Sequence, residues 1–444
     1  MIKKLFSVLL VSLLLLAGFA AAASAAMPNE LRAQLLSETA ILIDGRTGQV
    51  LFEKDMHRQM YPASTTKVTT AILALENGNL NSAITMSRDA VFSIGRDTSH
   101  VALDTDEVLT LENALYALSL ASANDAANGI AEHIGETMDD FAAMMTRRAE
   151  EAGALNTSFA NAHGLHDVNH YTTAYDLAHI MMEALKLPKF REIFSTLTYE
   201  MPPTNKQNEV RTFRRPGSLL AGQYVYEGII AEKTGWTEHA GNTLVTAAER
   251  NGRTLIAVVM KSPSSNDKWK DATALLDFGF DEFQEVRFTP EELGQDNHPV
   301  AGLDSGAMMV NLSAADGFQC LLPYAFSKDD IEIAYEAEIG KDNTVQAKTV
   351  FSLRDNASSL WFADLGELAL TGKIVSAHPP GPEPKGGRKG GSSPLPWILG
   401  IVLLLLAFPI VLLTQHYIVH RQNSKRRVVS YAMLPEKKYF WKKR

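Results

Sequence analysis

Strand-forming segments lie at both ends of a long helical middle, and that arrangement restricts the fold more than any other feature of the chain. Residues 39–55 read as a hairpin, with Ile41 and Ile43 before the turn Asp44-Gly45-Arg46-Thr47-Gly48 and Val50 and Phe52 after it. Strand character returns after Gly241, where Leu244-Val245 and Leu255 to Met260 flank the turn Asn251-Gly252. Between these ends, Val68, Ile72 and Leu75 recur at helical spacing, from a start marked by Pro62 and Ser64 to a stop at Gly78. Leu111 to about Leu187 is mainly helical, with loops at Ala152-Gly153 and from Asn161 to His170, and Trp269 to Phe278 closes the unit as a helix. The two ends therefore meet in one sheet with helices between them, an α/β domain over residues 26–281.

Residues 282–377 have a different texture: short alternating runs (Met308–Leu312, Ile331–Tyr335, Thr349–Leu353) separated by turn residues predict a small β-sandwich. Residues 378–396, beginning His-Pro-Pro-Gly-Pro-Glu-Pro and continuing through Gly-Gly-Arg-Lys-Gly-Gly-Ser-Ser, are a proline and glycine linker that cannot form a core.

The two extremities read as targeting segments. Lys3 and Lys4, an apolar run from Leu5 to about Ala22 and the small residues Ala23-Ser24-Ala25 match a secretory signal over residues 1–25, cleaved after Ala25; an uncleaved anchor would leave the small-residue box without purpose. Trp397 to Val419 holds no Asp, Glu, Lys or Arg and is long enough for a bilayer. Pro409 is tolerable there, and Trp397 and Tyr417 fall at interfacial positions. Arg421, Lys425, Arg426 and Arg427 follow at once, so the expectation is a single transmembrane helix in the bacterial cytoplasmic membrane, with residues 420–444 inside and everything before Trp397 on the exterior or periplasmic side. The tail suits an anionic inner leaflet or a plain stop-transfer signal equally well.

Net charge is −9, yet that tail carries nine Lys/Arg against one Glu, so the body is more acidic than the total suggests and would repel nucleic acid. Cys320 is the only cysteine, which excludes an intrachain disulfide and a cysteine zinc site and leaves it a small hydrophobe. His163, His166 and His170 are not framed by a carboxylate-histidine motif, and neither a metal nor a cofactor is expected. The methionine pairs at 144–145 and 181–182 read as core filler.

Chemistry gathers in three short motifs. Ser64-Thr65-Thr66-Lys67 sets a hydroxyl and an amine one helical turn apart at an expected helix start, suited to a serine nucleophile with a lysine base. The backbone amides there favour the negative charge that develops when an alkoxide attacks a carbonyl. Ser122-Ala123-Asn124 follows a helical run, and Lys233-Thr234-Gly235 precedes a strand. Any one of the three arises by chance as a cap, a loop serine or a surface lysine; together, in this order and context, they are specific.

With these motifs, and with Asn161-Ala162-His163-Gly164-Leu165, the chain resembles the low-molecular-mass penicillin-binding proteins, the serine D-alanyl-D-alanine carboxypeptidases of peptidase family S11. The resemblance is firm through residue 281 and loose over 282–377. It implies a penicillin-binding/β-lactamase-like serine acyl-transferase domain, an antiparallel sheet with helices, acting on peptidoglycan stem peptides and acylated by β-lactams. It also implies Ser64 as nucleophile, Lys67 as base, Ser122 as proton relay to the departing D-alanine, Asn124 as holder of Lys67 and of the substrate amide, and Lys233 and Thr234 as carboxylate binders. By the same resemblance Gly235 would let the strand approach the substrate, and the amides of Ser64 and Trp236 would form the oxyanion hole. Lys67 near Lys233 would have its pKa lowered.

Two departures from the family pattern stand out: Ala123 where glycine is frequent, and Lys268 as the nearest candidate for an arginine near the last strand, lacking arginine's fork. Two alternatives remain. A β-lactamase of the same fold needs a glutamate four residues before an asparagine, and no Glu-x-x-x-Asn lies between Asn124 and Lys233. A penicillin-sensing receptor needs a cytoplasmic partner, because a tail of this length is too short to fold alone.

Overall fold

The computed structural model describes residues 29–215, 217–301, 307–339, 344–354 and 364–376. The segments read as signal, linker, transmembrane helix and tail lie outside these residues. No helix among the described residues is long and apolar enough to cross a membrane.

The strands of the chain are β1 (Thr39–Asp44), β2 (Val50–Lys54), β3 (Ala83–Thr85), β4 (Val108–Thr110), β5 (Thr198–Met201), β6 (Arg211–Arg214), β7 (Ile229–Thr237), β8 (Gly241–Arg250) and β9 (Arg253–Ser262). Then follow β10 (Phe283–Phe288), β11 (Gln295–Ala301), β12 (Ala307–Ser313), β13 (Phe318–Pro323), β14 (Ile331–Ile339), β15 (Val345–Leu353) and β16 (Asp364–Ser376). The main sheet has the order β2-β1-β9-β8-β7, with antiparallel pairing throughout, so the N-terminal hairpin adds directly to the last strand of the unit, Thr39 opposite Met260. The two-ended sheet expected from the sequence is present. β7 is one of its two edges.

The period of two along each strand sorts residues into two cores. Ile41, Ile43, Ile256, Val258 and Met260 face a helical layer, while Ala40, Leu42, Leu255, Ala257 and Val259 face the helix Ser265–Glu282, which contributes Trp269, Leu275 and Leu276. With both faces covered, these strands read as apolar runs rather than as alternation. Each buried Ile, Leu or Val contributes about 1.5–3 kcal/mol of transfer free energy.

From Lys67 onward, the helices of the α/β part are α1 (Lys67–Asn77), α2 (Arg88–Phe92), α3 (Leu111–Leu120), α4 (Asn124–Gly135), α5 (Met138–Glu151), α6 (Ala174–Ala184), α7 (Pro188–Ser195) and α8 (Ser265–Glu282). Ser87, Thr110, Thr137, Thr173 and Ser264 cap α2, α3, α5, α6 and α8, each accepting a hydrogen bond from the third helical residue. α1 and α4 begin on Lys67 and Asn124 without a side-chain cap. α8 is longer than the run Trp269–Phe278 because capping at Ser264 and the polar residues Asn266 to Lys268 extend it toward its N-terminus.

One expectation is corrected. The sequence places a helix start at Ser64, but Ala63–Thr66 is a 3₁₀ turn and the α-helix begins at Lys67. Ala63 has φ of 50°, a left-handed conformation that breaks the helix, and the carbonyl of Pro62 is held by the hydroxyls of Thr65 (2.8 Å) and Thr243 (2.9 Å).

After Ser262 and α8, the chain forms the five-stranded sheet β11-β12-β16-β15-β14 and the ribbon β10-β13, which share a core around stacked Phe318 and Phe351, centroids 3.6 Å apart. The Gln49 side chain ties this part to the hairpin turn, its amide donating to the Leu321 carbonyl at 2.7 Å and its oxygen accepting from the Leu321 amide at 2.8 Å. Cys320 is buried, and burial pushes its thiol up to about 12, so it stays protonated and inert.

Candidate active site

Ser64 sits on the strained turn between Pro62 and α1, held from three sides. Thr243 of β8 fixes the Pro62 carbonyl. The Thr66 hydroxyl meets Nε2 of buried His170 at 2.7 Å. Nδ1 of His170 accepts from the Ala160 amide at 3.0 Å, so Nε2 carries the proton and donates to Thr66. Gly164 completes the packing: a Cβ there would lie 1.9 Å from the Ala63 carbonyl oxygen, and its φ is 90°.

Lys67 is wholly buried at the start of α1. Its Nζ lies 3.0 Å from Ser64 Oγ, 2.7 Å from Asn124 Oδ1 and 2.6 Å from the His163 carbonyl. An ammonium donates to all three. A neutral amine keeps two N–H bonds for the two carbonyl oxygens and turns its lone pair on the Ser64 hydroxyl. Burial holds the Lys67 pKa well below the usual lysine range, with Lys233 pushing in the same direction and Asp125 opposing. Asp125 is buried too, accepting from the amides of Val101 and Leu103 and so anchoring the preceding loop to α4.

Ser122, in a left-handed conformation with φ of 54°, receives its hydrogen bond from Lys233 Nζ at 3.0 Å. The sequence reading couples Ser122 to the departing amine; the structure adds that Lys233 is its immediate partner. Lys233 also donates to the Thr234 carbonyl at 2.8 Å. Burial, then Arg215 and Lys268, lower its pKa to about 7. Asn124 occupies the first turn of α4, where its amide bonds Ser99 at 2.8 Å, and its side chain accepts from Lys67.

β7 carries Lys233, Thr234, Gly235 and Trp236 past Ser64, so the motif read from the sequence as preceding a strand lies within one. A Cβ on Gly235 would come within 2.4 Å of Thr243 Oγ1, 2.7 Å of the Ser64 amide nitrogen and 2.9 Å of Ala63 Cβ, so only glycine admits this approach. Trp236 is exposed at the rim. Ser64, Ser122, Lys233, Thr234, Gly235 and Trp236 line one cleft of about 350 Å³, with Lys67 and Asn124 bonded beneath Ser64. A larger cleft, about 750 Å³, lies between the Gly48 turn and the β-rich part and contains none of the motif residues.

Two further cations border the cleft. Lys268 is buried against Trp269, 4.8 Å from its ring, and burial lowers its pKa to about 8. Arg215 donates to Ser119 Oγ at 3.0 Å and to the Phe194 carbonyl at 3.2 Å. The sequence reading missed Arg215; the dipeptide Arg214-Arg215 lacks periodic neighbours and looks like ordinary surface charge. His163, read from the sequence as a loop-packing residue, uses Nδ1 for the Leu165 amide at 3.1 Å and its backbone carbonyl for Lys67.

An antiparallel sheet covered by helices, with a cleft serine bonded to a buried lysine beside its edge strand, defines the penicillin-binding serine hydrolase class. The family model described as D-alanyl-D-alanine carboxypeptidase matches residues 22–264, and the chain belongs to that family. It is 31% identical over 287 residues to the D-alanyl-D-alanine carboxypeptidase DacF of Bacillus subtilis, covering 64% of this chain and 72% of that protein. It is 28% identical over 361 residues to DacA of Haemophilus influenzae, covering 77% and 88%. Among solved structures, the Mycobacterium tuberculosis D-alanyl-D-alanine carboxypeptidase matches with a TM-score of 0.51 and 31% identity, over 56% of this chain and 92% of that one. Penicillin-binding protein 5 of Haemophilus influenzae matches with a TM-score of 0.61 over 77% and 97%, at 23% identity.

Proposed function

We propose that this carboxypeptidase releases the terminal D-alanine of peptidoglycan stem pentapeptides through an acyl-enzyme on Ser64. The carrying observation is the set of three oxygens around Lys67 Nζ: two carbonyl oxygens take the N–H bonds of a neutral amine, and its lone pair is left for the Ser64 hydroxyl. Lys67 takes the hydroxyl proton as Oγ attacks the carbonyl of the penultimate D-alanine. The negative oxygen is received by the amides of Ser64 and Trp236, a kind of donor worth about 3 kcal/mol each. As the C–N bond breaks, the leaving amine gains its proton through Ser122. Lys233 and Thr234, with Lys268 behind them, hold the departing carboxylate, and Asn124 holds Lys67 and the substrate amide. Water then cleaves the ester and regenerates Ser64. A β-lactam enters by the same first step and acylates the same oxygen. Release of D-alanine from an N-acylated Lys-D-Ala-D-Ala peptide, with covalent penicillin labelling, tests the reading; both are expected to vanish in Ser64→Ala, and labelling elsewhere would overturn it.

The ends of the chain support an exported, membrane-anchored form: signal removed after Ala25, one helix over Trp397–Val419, and the active site on the exterior face of the cytoplasmic membrane. Protease added to intact spheroplasts is expected to digest the catalytic part and spare a tag placed after Arg444. Protection of the catalytic part would overturn this topology.

A further inference from the structure

Beyond Trp236, β7 ends at Thr237 and turns back through Glu238, His239 and Ala240. His239 stacks on His166, ring centroids 3.7 Å apart and planes 4° from parallel. Tyr61 meets both rings edge-on, at 4.6 Å from His166 and 6.3 Å from His239. Each member sits three residues from a group of the reaction site: Tyr61 before Ser64, His166 after His163, His239 after Trp236. The cluster thus joins the nucleophile turn, the loop that binds Lys67 and the strand that flanks the substrate. Both imidazoles are exposed, and none of the bonds that fix Lys67, Ser122 or Lys233 involves them.

A stem peptide has one natural place to lie. β7 is a sheet edge, and an extended peptide adds to such an edge as an antiparallel strand. With its carboxylate at Lys233 and its scissile carbonyl beside Gly235 and Ser64, the peptide runs back along Trp236 and Thr237. At about 3.4 Å per residue, the residue preceding the two D-alanines falls opposite Thr237, where a long side chain reaches the histidine pair. Imidazole N–H groups are donors, and two rings side by side present donors to both oxygens of one carboxylate. Asp167, next to His166, is engaged by the Asn169 amide at 2.7 Å within its own loop.

The geometry points to Tyr61, His166 and His239 as the subsite for the residue that precedes the two D-alanines, and to selection there of a side chain ending in a carboxylate. This rests on the carboxypeptidase reading above. The full chain is assayed with three Nα-acetylated X-D-Ala-D-Ala peptides, X being L-2-aminoadipyl, L-norleucyl or L-lysyl, so that the ends differ as carboxylate, methyl and ammonium. The kcat/KM for the carboxylate peptide is expected to exceed the norleucyl value by about 10-fold, the effect of a hydrogen-bonded charge. That ratio is expected to fall toward one in His166→Ala and His239→Ala, and to persist in part in His239→Gln, which keeps a donor. A within-variant ratio divides out any general loss of folding or acylation. A ratio near one in the native protein, a preference for lysyl, or a ratio unmoved by both alanine variants would overturn the subsite. Absence of D-alanine release from all three peptides would instead overturn the carboxypeptidase reading on which it stands.

Discussion

Lys67 Nζ lies 2.6 Å from the backbone carbonyl of His163, so the amine is positioned partly by a group that no side-chain substitution removes. The loop is pinned in turn by the Thr70 hydroxyl, which donates to the Ala162 carbonyl at 2.6 Å. Placement of the base and loss of its charge are therefore separable, and substitutions at Lys67 test the second.

Lys67→Arg is expected to lower D-alanine release and penicillin acylation by about 10²–10⁴-fold, the range for loss of a general base. Guanidinium cannot give up its proton. Stopped-flow acylation with a fluorescent penicillin checks this; acylation within a few-fold of native would exclude Lys67 as the base.

The pH profile follows from the signs. In the proposed mechanism Lys67 acts when neutral, and its lowered pKa puts the acid limb of kcat/KM below the ordinary lysine range. In the same mechanism Lys233 and Lys268 bind carboxylate when charged, so kcat/KM is expected to decline as pH rises past about 7 and about 8. Lys268→Arg, permanently charged, is expected to make that alkaline decline shallower, as read from kcat/KM between pH 6 and 10. An unchanged slope would remove Lys268 from carboxylate binding.

Lys233 also weakens the fold. Its pKa is lower in the folded chain than in the unfolded one, so the unfolded state binds more protons above about 7 and the native protein gains stability as pH rises from there toward the ordinary lysine value. Lys233→Met should therefore raise the melting temperature, and by more at pH 6 than at pH 9, while weakening substrate binding. Calorimetry at the two values decides; a larger gain at pH 9 would contradict the direction.

Gly164→Ala and Gly235→Ala are expected to act differently. At Gly164 the added carbon strikes the Ala63 carbonyl from a left-handed backbone, so both stability and acylation fall. At Gly235 it crowds the Ser64 amide and Thr243, so acylation is lost with a smaller change in melting temperature. Equal losses of stability in the two variants would refute this division.

Much of this was legible in advance. The apolar residues either side of the Asp44–Gly48 turn identify the hairpin, and Leu244 to Met260 the strands it joins, because fully covered strands must be apolar. Ser64, Lys67, Ser122, Asn124, Lys233 and Gly235 are named by three short motifs. Arg215 is not, since its four acceptors come from Ser119, Phe194, Thr196 and Glu232, a set that no local spacing reveals. Nor is the 3₁₀ turn at Ser64, where distant Thr243 holds the Pro62 carbonyl, or the His166–His239 stack, which joins two loops through space. What sequence conceals here is contact between segments, not the character of any one of them.

The pairing of Thr39 with Met260 also sets an order of events. While the chain is being made, the hairpin β1-β2 precedes β9 and has one edge open until β9 arrives. Helices of the middle can form locally in the interval, but the sheet, the Ser64 turn bolted to Thr243 and the strand beside it close together and late. A chain interrupted before Ser262 thus holds its serine and lysine with no assembled site around them, and activity waits on completion of the whole domain.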